Sequence, residues 1–277
     1  MVCLIGGGQE INKGEAGIVE WISSVNRSFG GWHVYMSDKE YVEGKALEML
    51  QIDESQIHVK SALQLSVSMR SFRAEEVSLF IHQLLILQKE EASSTLRELT
   101  NYPIVLTMSL DKAKQWLKSH ARGSERYGLL ASSKAERLKA ISINVRYQPD
   151  FVHWFLEDDS YIRSSNAFED TLTEFKVKGL EIDWACVAWN ADLRLNKDHT
   201  KWQYFQLRSG KKWQNINKPI NRDYQINAYR VLLTCARQGM VLVVPNGDYG
   251  VPPDETRKPE WYDDIYNYLK EIGIKEI

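Results

Sequence analysis

The chain has 277 residues, of which 43% are hydrophobic, and its 35 Lys or Arg against 37 Asp or Glu give a formal net charge of −2. This composition provides a core for one large domain or two moderate ones, and the charge excludes a global basic field that would attract nucleic acid. Its three cysteines are far apart and lack a Cys-x-x-Cys spacing, which excludes a disulfide framework and a thiolate metal site.

Apolar runs of strand length alternate with amphipathic runs along the chain. The strand-like runs are VCLIGG, WHVYMS, HVKSALQLSVS, YPIVLTMS, RYGLLASS, GLEIDWACVAW and GMVLVVP. The helix-like runs are GEAGIVEWISSV, RAEEVSLFIHQLLILQ, DKAKQWLKSHA, SKAERLKA, DYQINAYRVLLTCARQ and EWYDDIYNYLKEI. This alternation predicts an α/β fold with a mostly parallel sheet and helices on both faces.

The sequence contains no apolar run of the roughly 18 residues that a membrane span needs. Its first residues also lack the basic and then hydrophobic pattern of a secretion signal. We therefore expect no membrane association and a cytoplasmic location.

Residues 190–222 differ from the rest of the chain in charge, with eight basic residues against two aspartates, a local charge of +6. Four aromatic residues are interleaved with these charges. Basic side chains neutralise phosphates and aromatic rings stack on bases, so this segment is a candidate contact for single-stranded DNA or RNA. The candidate residues are Trp202, Lys211, Lys212 and Trp213. The alternative is a β-hairpin that turns at Ser209-Gly210, with its aromatic residues packed inside and its charges solvated.

Four stretches, taken in chain order, resemble motifs III to VI of superfamily 1 helicases. They are GGGQEIN, SMRSF, EFKVKGLEIDW and NAYRVLLT, with RGSERYGLLASS between the second and the third. Together they resemble the Schlafen-group-3-like DNA/RNA helicase domain over essentially the whole chain. The resemblance implies the distal edge of a first RecA-like motor domain at residues 1–58, with motif III. It also implies a second RecA-like motor domain at residues 59–277, with motifs IV to VI and the basic insertion.

In such motors a nucleotide sits between the two RecA-like domains, and the resemblance assigns residues to that cleft. Gln9 would sense the terminal phosphate, although a turn residue after a glycine cluster is the alternative. Arg70 would spread the charge of the transferring phosphoryl group. Gly179 would allow close approach of the backbone, and Glu181 would accept a hydrogen bond from the ribose.

The same resemblance places Thr173 with Lys176 or Lys178 against the nucleic-acid backbone. One end of the GLEIDWACVAW strand would then contact both the nucleotide and the nucleic acid. The alternative for the two lysines is simple solvation.

Two features depart from a complete motor. A Gly-rich phosphate loop with Lys-Ser/Thr and an acidic metal-holding motif are both missing from the sequence, so ATP and Mg²⁺ are implied only if a first motor domain is supplied. In motif VI, Cys235 occupies the position where the resemblance calls for arginine. Arg237 lies two residues later, about 200° around an α-helix, and could replace that arginine only if the helix ends there. A buried small residue is the alternative for Cys235.

These observations predict the C-terminal half of a superfamily 1 helicase-like ATPase that cannot hydrolyse ATP alone. It would be a fragment, a decayed copy, or a split subunit whose partner chain carries the first motor domain. A non-catalytic RecA-like module that binds nucleic acid or a partner is the alternative. A metal nuclease using Asp170 with Glu174 and Lys176 is a third, weaker interpretation, because motif V explains the same residues.

Overall fold

The computed structural model describes residues 2, 10–12, 17–37, 51–63 and 72–277. Two compact units are present, Met1–Ser71 and Phe72–Ile277. Gln9 and Arg70 lie outside the described residues, as does the VCLIGG run apart from Val2. The roles of Gln9 and Arg70 therefore stay predictions, and so does the division into motor domains at residue 58.

The first unit contains one helix and a pair of short strands among its described residues. Helix α1 (Gly17–Ser28) forms where the GEAGIVEWISSV run predicts a helix. Strand β1 (Val34–Met36) pairs in parallel with β2 (Ile57–Val59). A 3₁₀ turn at Glu54–Gln56 enters β2, and the Asp53 side chain caps it by accepting a hydrogen bond from the Ser55 N–H.

The second unit alternates helices and strands, as the sequence predicts. Its helices are α2 (Phe72–Leu85), α3 (Lys89–Glu98), α4 (Leu110–His120), α5 (Phe151–Leu156), α6 (Glu174–Val177), α7 (Pro219–Thr234) and α8 (Pro259–Ile272). Its strands are β3 (Ile104–Thr107), β4 (Tyr127–Ala131), β5 (Thr171–Leu172), β6 (Ile182–Ala188), β7 (Leu193–Leu195), β8 (Trp202–Arg208), β9 (Lys212–Asn215), β10 (Ala236–Val243) and β11 (Lys275–Glu276). The predicted SKAERLKA helix is a 3₁₀ helix, Glu136–Ile141.

Six strands form the main sheet in the order β11-β3-β10-β6-β4-β5. All five neighbouring pairs are parallel. Parallel neighbours need crossover connections, and helices supply them on the faces of the sheet. The α/β prediction is confirmed, and the parallel sheet flanked by helices is consistent with a RecA-like fold.

The core is built on both faces of this sheet, because successive strand residues point to opposite sides. On one face Cys186 and Val241 pack with Ala113 and Leu117 of α4. The alternate residues are equally buried: Leu106, Leu130, Val187 and Leu242 each have a relative exposure of 0%. Fully burying such a side chain contributes about 1.5 to 3 kcal/mol, so the central strands fix the frame that positions the loops.

A second sheet of three antiparallel strands, β7-β8-β9, follows the carboxyl end of β6. Strands β8 and β9 are joined by three residues, 209–211, of which Ser209 and Gly210 have φ values of 53° and 69°. Two positive φ values give the turn a twist that matches its flanking strands. The hairpin predicted at Ser209-Gly210 is thereby confirmed. Across the described residues, no helix has both the length and the apolar character needed to cross a membrane.

Candidate functional site

The motif VI stretch changes from helix to strand before it reaches Arg237. Helix α7 ends at Thr234, and Cys235 is its C-cap. Strand β10 begins at Ala236, which makes Arg237 the second residue of a strand. The helix predicted through Gln238 is therefore shorter than expected, because pairing of Ala236 with Ile182 of β6 draws the chain into the sheet. Because the helix ends before residue 237, Arg237 is not held about 200° around a helix from Cys235, and it could replace the arginine that motif VI lacks.

Arg237 and Glu181 meet at the amino ends of β10 and β6. The Arg237 Nε atom lies 3.8 Å from Glu181 Oε2 and 3.6 Å from Asp183 Oδ1. The Asp183 side chain is itself held in place, because its Oδ2 atom accepts a hydrogen bond from the backbone N–H of Arg126 at 2.8 Å. We call Glu181, Asp183 and Arg237 the amino edge. Its arginine side chain is 55% exposed, so these ion pairs contribute little stability and leave the guanidinium able to move to another anion.

Cys235 lies in the core beside this edge. The residue is 6% exposed, and its thiol donates to the Leu232 carbonyl at 3.2 Å. The backbone next to it is also held, since the Tyr102 hydroxyl donates to the carbonyl of Ala236 at 3.1 Å. The structure thus supports the interpretation of Cys235 as a buried small residue.

Gly179 precedes the amino edge in a backbone conformation that favours glycine. Its φ is +82°, and a Cβ atom added there would meet nothing within 4 Å. The backbone is therefore open to close approach from outside, and the left-handed conformation by itself accounts for the glycine.

Thr173 lies at the opposite end of the sheet from Glu181. The preceding Leu172 pairs with Leu130, which pairs with Val187 of β6, so Thr173 is level with the carboxyl end of β6. With a rise of about 3.3 Å per strand residue, roughly 20 Å separates Thr173 from Glu181 along the strands. Thr173 therefore does not share a strand end with Glu181, because the motif V stretch runs from one end of the sheet to the other. The contact of Thr173 with nucleic acid stays a prediction.

The two lysines of motif V follow Thr173 on the way back to the amino edge. The Lys176 Nζ atom lies 5.8 Å from the centre of the Phe151 ring, within the range of a cation–π contact. Lys178 is the C-cap of α6 and is half-buried. Neither lysine is simply solvated, and contact with nucleic acid stays a prediction for both.

A buried polar network lies at the carboxyl ends of β4 and β6. The Asp192 carboxylate has 0% exposure and accepts hydrogen bonds from the Ser132 hydroxyl, the Gln225 amide and the Tyr229 hydroxyl at 3.0, 3.1 and 2.9 Å. Burial raises the pKa of Asp192 to about 6. The same Gln225 amide donates to the Phe205 carbonyl at 3.3 Å, which ties α7 to the hairpin. Sequence reasoning missed this network, although polar residues directly after two apolar strands were a signal for it.

The two carboxylates of the nuclease interpretation, Asp170 and Glu174, already have partners within the chain. Both oxygens of Glu174 accept hydrogen bonds from Ser133, from its N–H at 2.8 Å and its hydroxyl at 2.6 Å. Asp170 forms an ion pair with Arg163 at 2.8 Å. Within the part of the chain that the structure describes, no group of three or more His, Cys, Asp or Glu could hold a metal ion. The nuclease interpretation therefore has no structural support.

The two tryptophans of the basic segment differ in burial. Trp202 is 8% exposed, stacks on Trp189 and donates its indole N–H to the Leu85 carbonyl at 2.7 Å. Trp213 is half-buried and donates to the Thr256 carbonyl at 2.9 Å. Stacking of a base on Trp202 would require that ring to leave the core, whereas part of Trp213 is accessible.

Arg194 of β7 is buried between aromatic rings behind the hairpin. Its guanidinium carbon lies 3.6 Å from the Phe205 ring centre and 3.7 Å from that of Trp261 in α8. The residue is 3% exposed, and burial lowers its pKa to about 10, so it is charged at neutral pH. Its Nε and Nη1 atoms lack hydrogen-bond partners among the described residues. One of the eight basic residues of the segment is therefore structural rather than free to meet phosphate.

Three other cations gather at the end of the hairpin. Arg208, Lys211 and Lys212 are all exposed, and we call them the hairpin tip. Arg208 and Lys212 are directly opposite in the β8–β9 register. Like charges in that position repel each other. For residues whose contacts the structure describes, no carboxylate forms an ion pair with any of the three.

The comparison with known families agrees with the motifs and the sheet. The sequence profile of the family described as Schlafen group 3, DNA/RNA helicase domain, matches residues 1–246. Neither the curated proteins nor the solved structures contain a match to the chain. Since the profile covers well over half of the 277 residues, the chain belongs to the Schlafen group 3 DNA/RNA helicase domain family.

Proposed function

We propose that this chain is a helicase-related module that binds single-stranded DNA or RNA through its second unit, with the hairpin tip as the main contact. The observation that carries the proposal is the Arg208 and Lys212 pair, two like charges held directly opposite without a carboxylate partner among the described residues. Such a pair costs stability in the free protein. A phosphate backbone would relieve the repulsion and release counterions on binding.

The amino edge is the proposed contact for a nucleotide. Glu181 would accept a hydrogen bond from a ribose hydroxyl, while Arg237 would move from its two carboxylate partners to a phosphate. Gly179 would let the backbone approach, and the family pattern adds Gln9 and Arg70. We propose that ATP and Mg²⁺ bind productively only when a first motor domain is present in the same or a partner chain. A cytoplasmic location stays a prediction.

The chain alone is expected to release no phosphate from ATP above background. Its 277 residues contain no Gly-x-x-x-x-Gly-Lys-Ser/Thr loop to hold the phosphates and position the metal ion. The measurement is a phosphate-release assay with single-stranded DNA and with RNA. A turnover of roughly 1 per second that Arg237→Ala removes would show instead that this chain is a complete ATPase. Background turnover together with tight single-strand binding would favour the non-catalytic module.

Binding to a labelled single strand is expected to weaken steeply with salt. About four phosphate contacts give a slope of log K against log salt near −3, and Lys211→Ala with Lys212→Ala should flatten it by about 1. Fluorescence anisotropy titrations at several salt concentrations measure the affinity and the slope for the parent chain and for the double lysine variant. The matched control is Lys139→Ala with Lys275→Ala, which removes two exposed lysines outside the hairpin.

Trp213→Ala is expected to weaken binding without altering the slope, because stacking releases no counterions. If the double lysine variant of the hairpin behaves like its control, the hairpin is only a solvated structure. The binding surface would then have to include Thr173, Lys176 and Lys178.

A further inference from the structure

An open groove of about 340 Å³ lies against one side of helix α4 and shares no residue with the amino edge or the hairpin tip. We call it the α4 groove. Three of its four helix residues follow the first at intervals of three, four and seven positions, which places all four on one side of the helix. A different side of α4 carries Ala113 and Leu117, which pack in the core. The lining residues are Lys112, Gln115, Trp116, Ser119 and Ile277.

Trp116 forms a rigid aromatic wall of the α4 groove. Its ring stacks on His120 with 3.8 Å between the ring centres, and it meets Trp184 edge-on at 5.7 Å. Trp184 is itself held in place, because its indole N–H donates to Glu125 at 2.9 Å. The Nδ1 atom of His120 donates to the Trp116 carbonyl at 2.8 Å, since a carbonyl only accepts, and this bond fixes the stack. The Trp116 residue is half-buried, so part of its ring is open to a ligand.

Ile277 forms a second apolar wall and is anchored to the edge of the main sheet. It follows β11, which pairs in parallel with β3. Its backbone N–H donates to the Leu106 carbonyl at 3.0 Å, and its side chain packs partly against the core. Both apolar walls of the groove are therefore fixed before any ligand binds.

Two polar side chains of the α4 groove are available to a ligand. Gln115 and Lys112 are exposed, and within the described residues no hydrogen bond engages the Gln115 amide. The pKa of Glu276 is lowered mainly by its hydrogen bond from Lys270 and least of all by Lys112, so this carboxylate does not occupy the Lys112 ammonium. An amide and an ammonium group therefore lie beside the two apolar walls without a fixed partner.

These groups match the parts of one nucleotide. A flat aromatic ring such as Trp116 stacks on any nucleobase, and a glutamine amide pairs with the N6 and N7 atoms of adenine. An ammonium group pairs with phosphate. The volume of 340 Å³ lies near the lower limit of ligand sites, which suits a single base with its sugar. An aromatic side chain of a partner protein would stack equally well, but it would leave Lys112 and Gln115 without partners.

We propose that the α4 groove binds one nucleobase with its phosphate, the base against Trp116, its edge on the Gln115 amide and the phosphate on Lys112. Adenine is the expected base because of the amide. The inference goes beyond the proposed function and does not depend on it, since neither the hairpin tip nor the amino edge contributes a residue. The same chemistry belongs to a free mononucleotide and to one position of a single strand, and the experiment separates these two sources.

Calorimetric titration of the full chain with adenosine monophosphate tests the proposal. The parent chain should bind it more tightly than cytidine monophosphate, and ribose 5-phosphate, which has no base, should not bind. Trp116→Ala should weaken the binding about tenfold, whereas Trp116→Phe should retain most of it because a stacking ring remains. Lys112→Ala should also weaken it, and Gln115→Ala should remove the preference for adenine. Lys118→Ala is the matched control, because this exposed lysine of α4 does not line the groove.

A second titration, by fluorescence anisotropy, separates the two sources of the base. It compares a labelled single strand of adenine nucleotides with the same strand lacking its bases. Groove variants that weaken only the binding of the strand identify nucleic acid as the ligand. Variants that weaken only the binding of the monophosphate identify the free nucleotide, and either outcome supports the α4 groove as the site.

The proposal is overturned if neither ligand binds, or if Lys112→Ala and Gln115→Ala bind both as the parent chain does. These two side chains are exposed, so their removal should leave the circular dichroism spectrum unchanged even where Trp116→Ala fails to fold. The proposal is overturned as well if Arg237→Ala abolishes monophosphate binding that the groove variants retain, because the nucleotide then lies at the amino edge. The salt titration of the hairpin variants is a separate measurement, so either proposal can fail without the other.

Discussion

Replacing Cys235 with arginine is expected to lower the free energy of unfolding by about 3 to 5 kcal/mol rather than to restore a motif VI arginine. Cys235 is 6% exposed, and its thiol already bonds the Leu232 carbonyl. A guanidinium at this position would be buried without a carboxylate partner or would push the end of α7 away from the sheet. Urea denaturation followed by circular dichroism measures the loss.

Two other variants serve as controls for the arginine substitution. Cys235→Ala keeps a small apolar side chain and should cost only about 1 kcal/mol. Arg237→Ala removes a side chain that is 55% exposed and should change stability by less than about 1 kcal/mol. If Cys235→Arg were as stable as the parent chain and bound nucleotide more tightly, the arginine would have reached the amino edge, and Arg237 would not be the substitute.

Sequence reasoning succeeded where the signal was local. The apolar runs predicted the four central strands of the main sheet, β3, β10, β6 and β4, but not its short edge strands β5 and β11. Ser209-Gly210 predicted the turn of the hairpin. The end of α7 at Thr234 was not predictable in this way, because the first glycine or proline after it is Gly239, five residues later. The helix stops because Ala236 pairs with Ile182, a residue 54 positions earlier.

In the basic segment, too, local sequence was not enough to predict which side chains are buried. Trp202 and Trp213 occupy similar sequence surroundings, yet one is in the core and the other is half-buried. The partners that decide this are the carbonyls of Leu85 and Thr256, both distant in sequence. The structural role of Arg194 could not be predicted from its charge, because its aromatic neighbours come together only in the folded chain.

Because Arg194 is buried, we expect variants at this position to differ in stability in a defined order. Arg194→Ala should lower the free energy of unfolding by about 3 kcal/mol, since it removes a guanidinium from between two rings and leaves a cavity. Arg194→Met should cost less than about 1 kcal/mol or even stabilise, because it fills most of the same volume without an incompletely hydrogen-bonded buried charge. Arg208→Ala, an exposed cation of the same sheet, is the control and should raise stability slightly, because it removes the repulsion with Lys212.

Hydrogen exchange should locate the loss, because Arg194 of β7 joins Phe205 of β8 to Trp261 of α8. In Arg194→Ala the amides of β8 and β9 should exchange faster, while those of β6 and β10 keep their protection. If Arg194→Met were as destabilising as Arg194→Ala, the charge of the Arg194 guanidinium would itself hold the hairpin, through its contacts with the rings of Phe205 and Trp261. If instead neither variant changed stability or exchange, the hairpin would be held without Arg194, by the Gln225 and Trp213 hydrogen bonds to its neighbours.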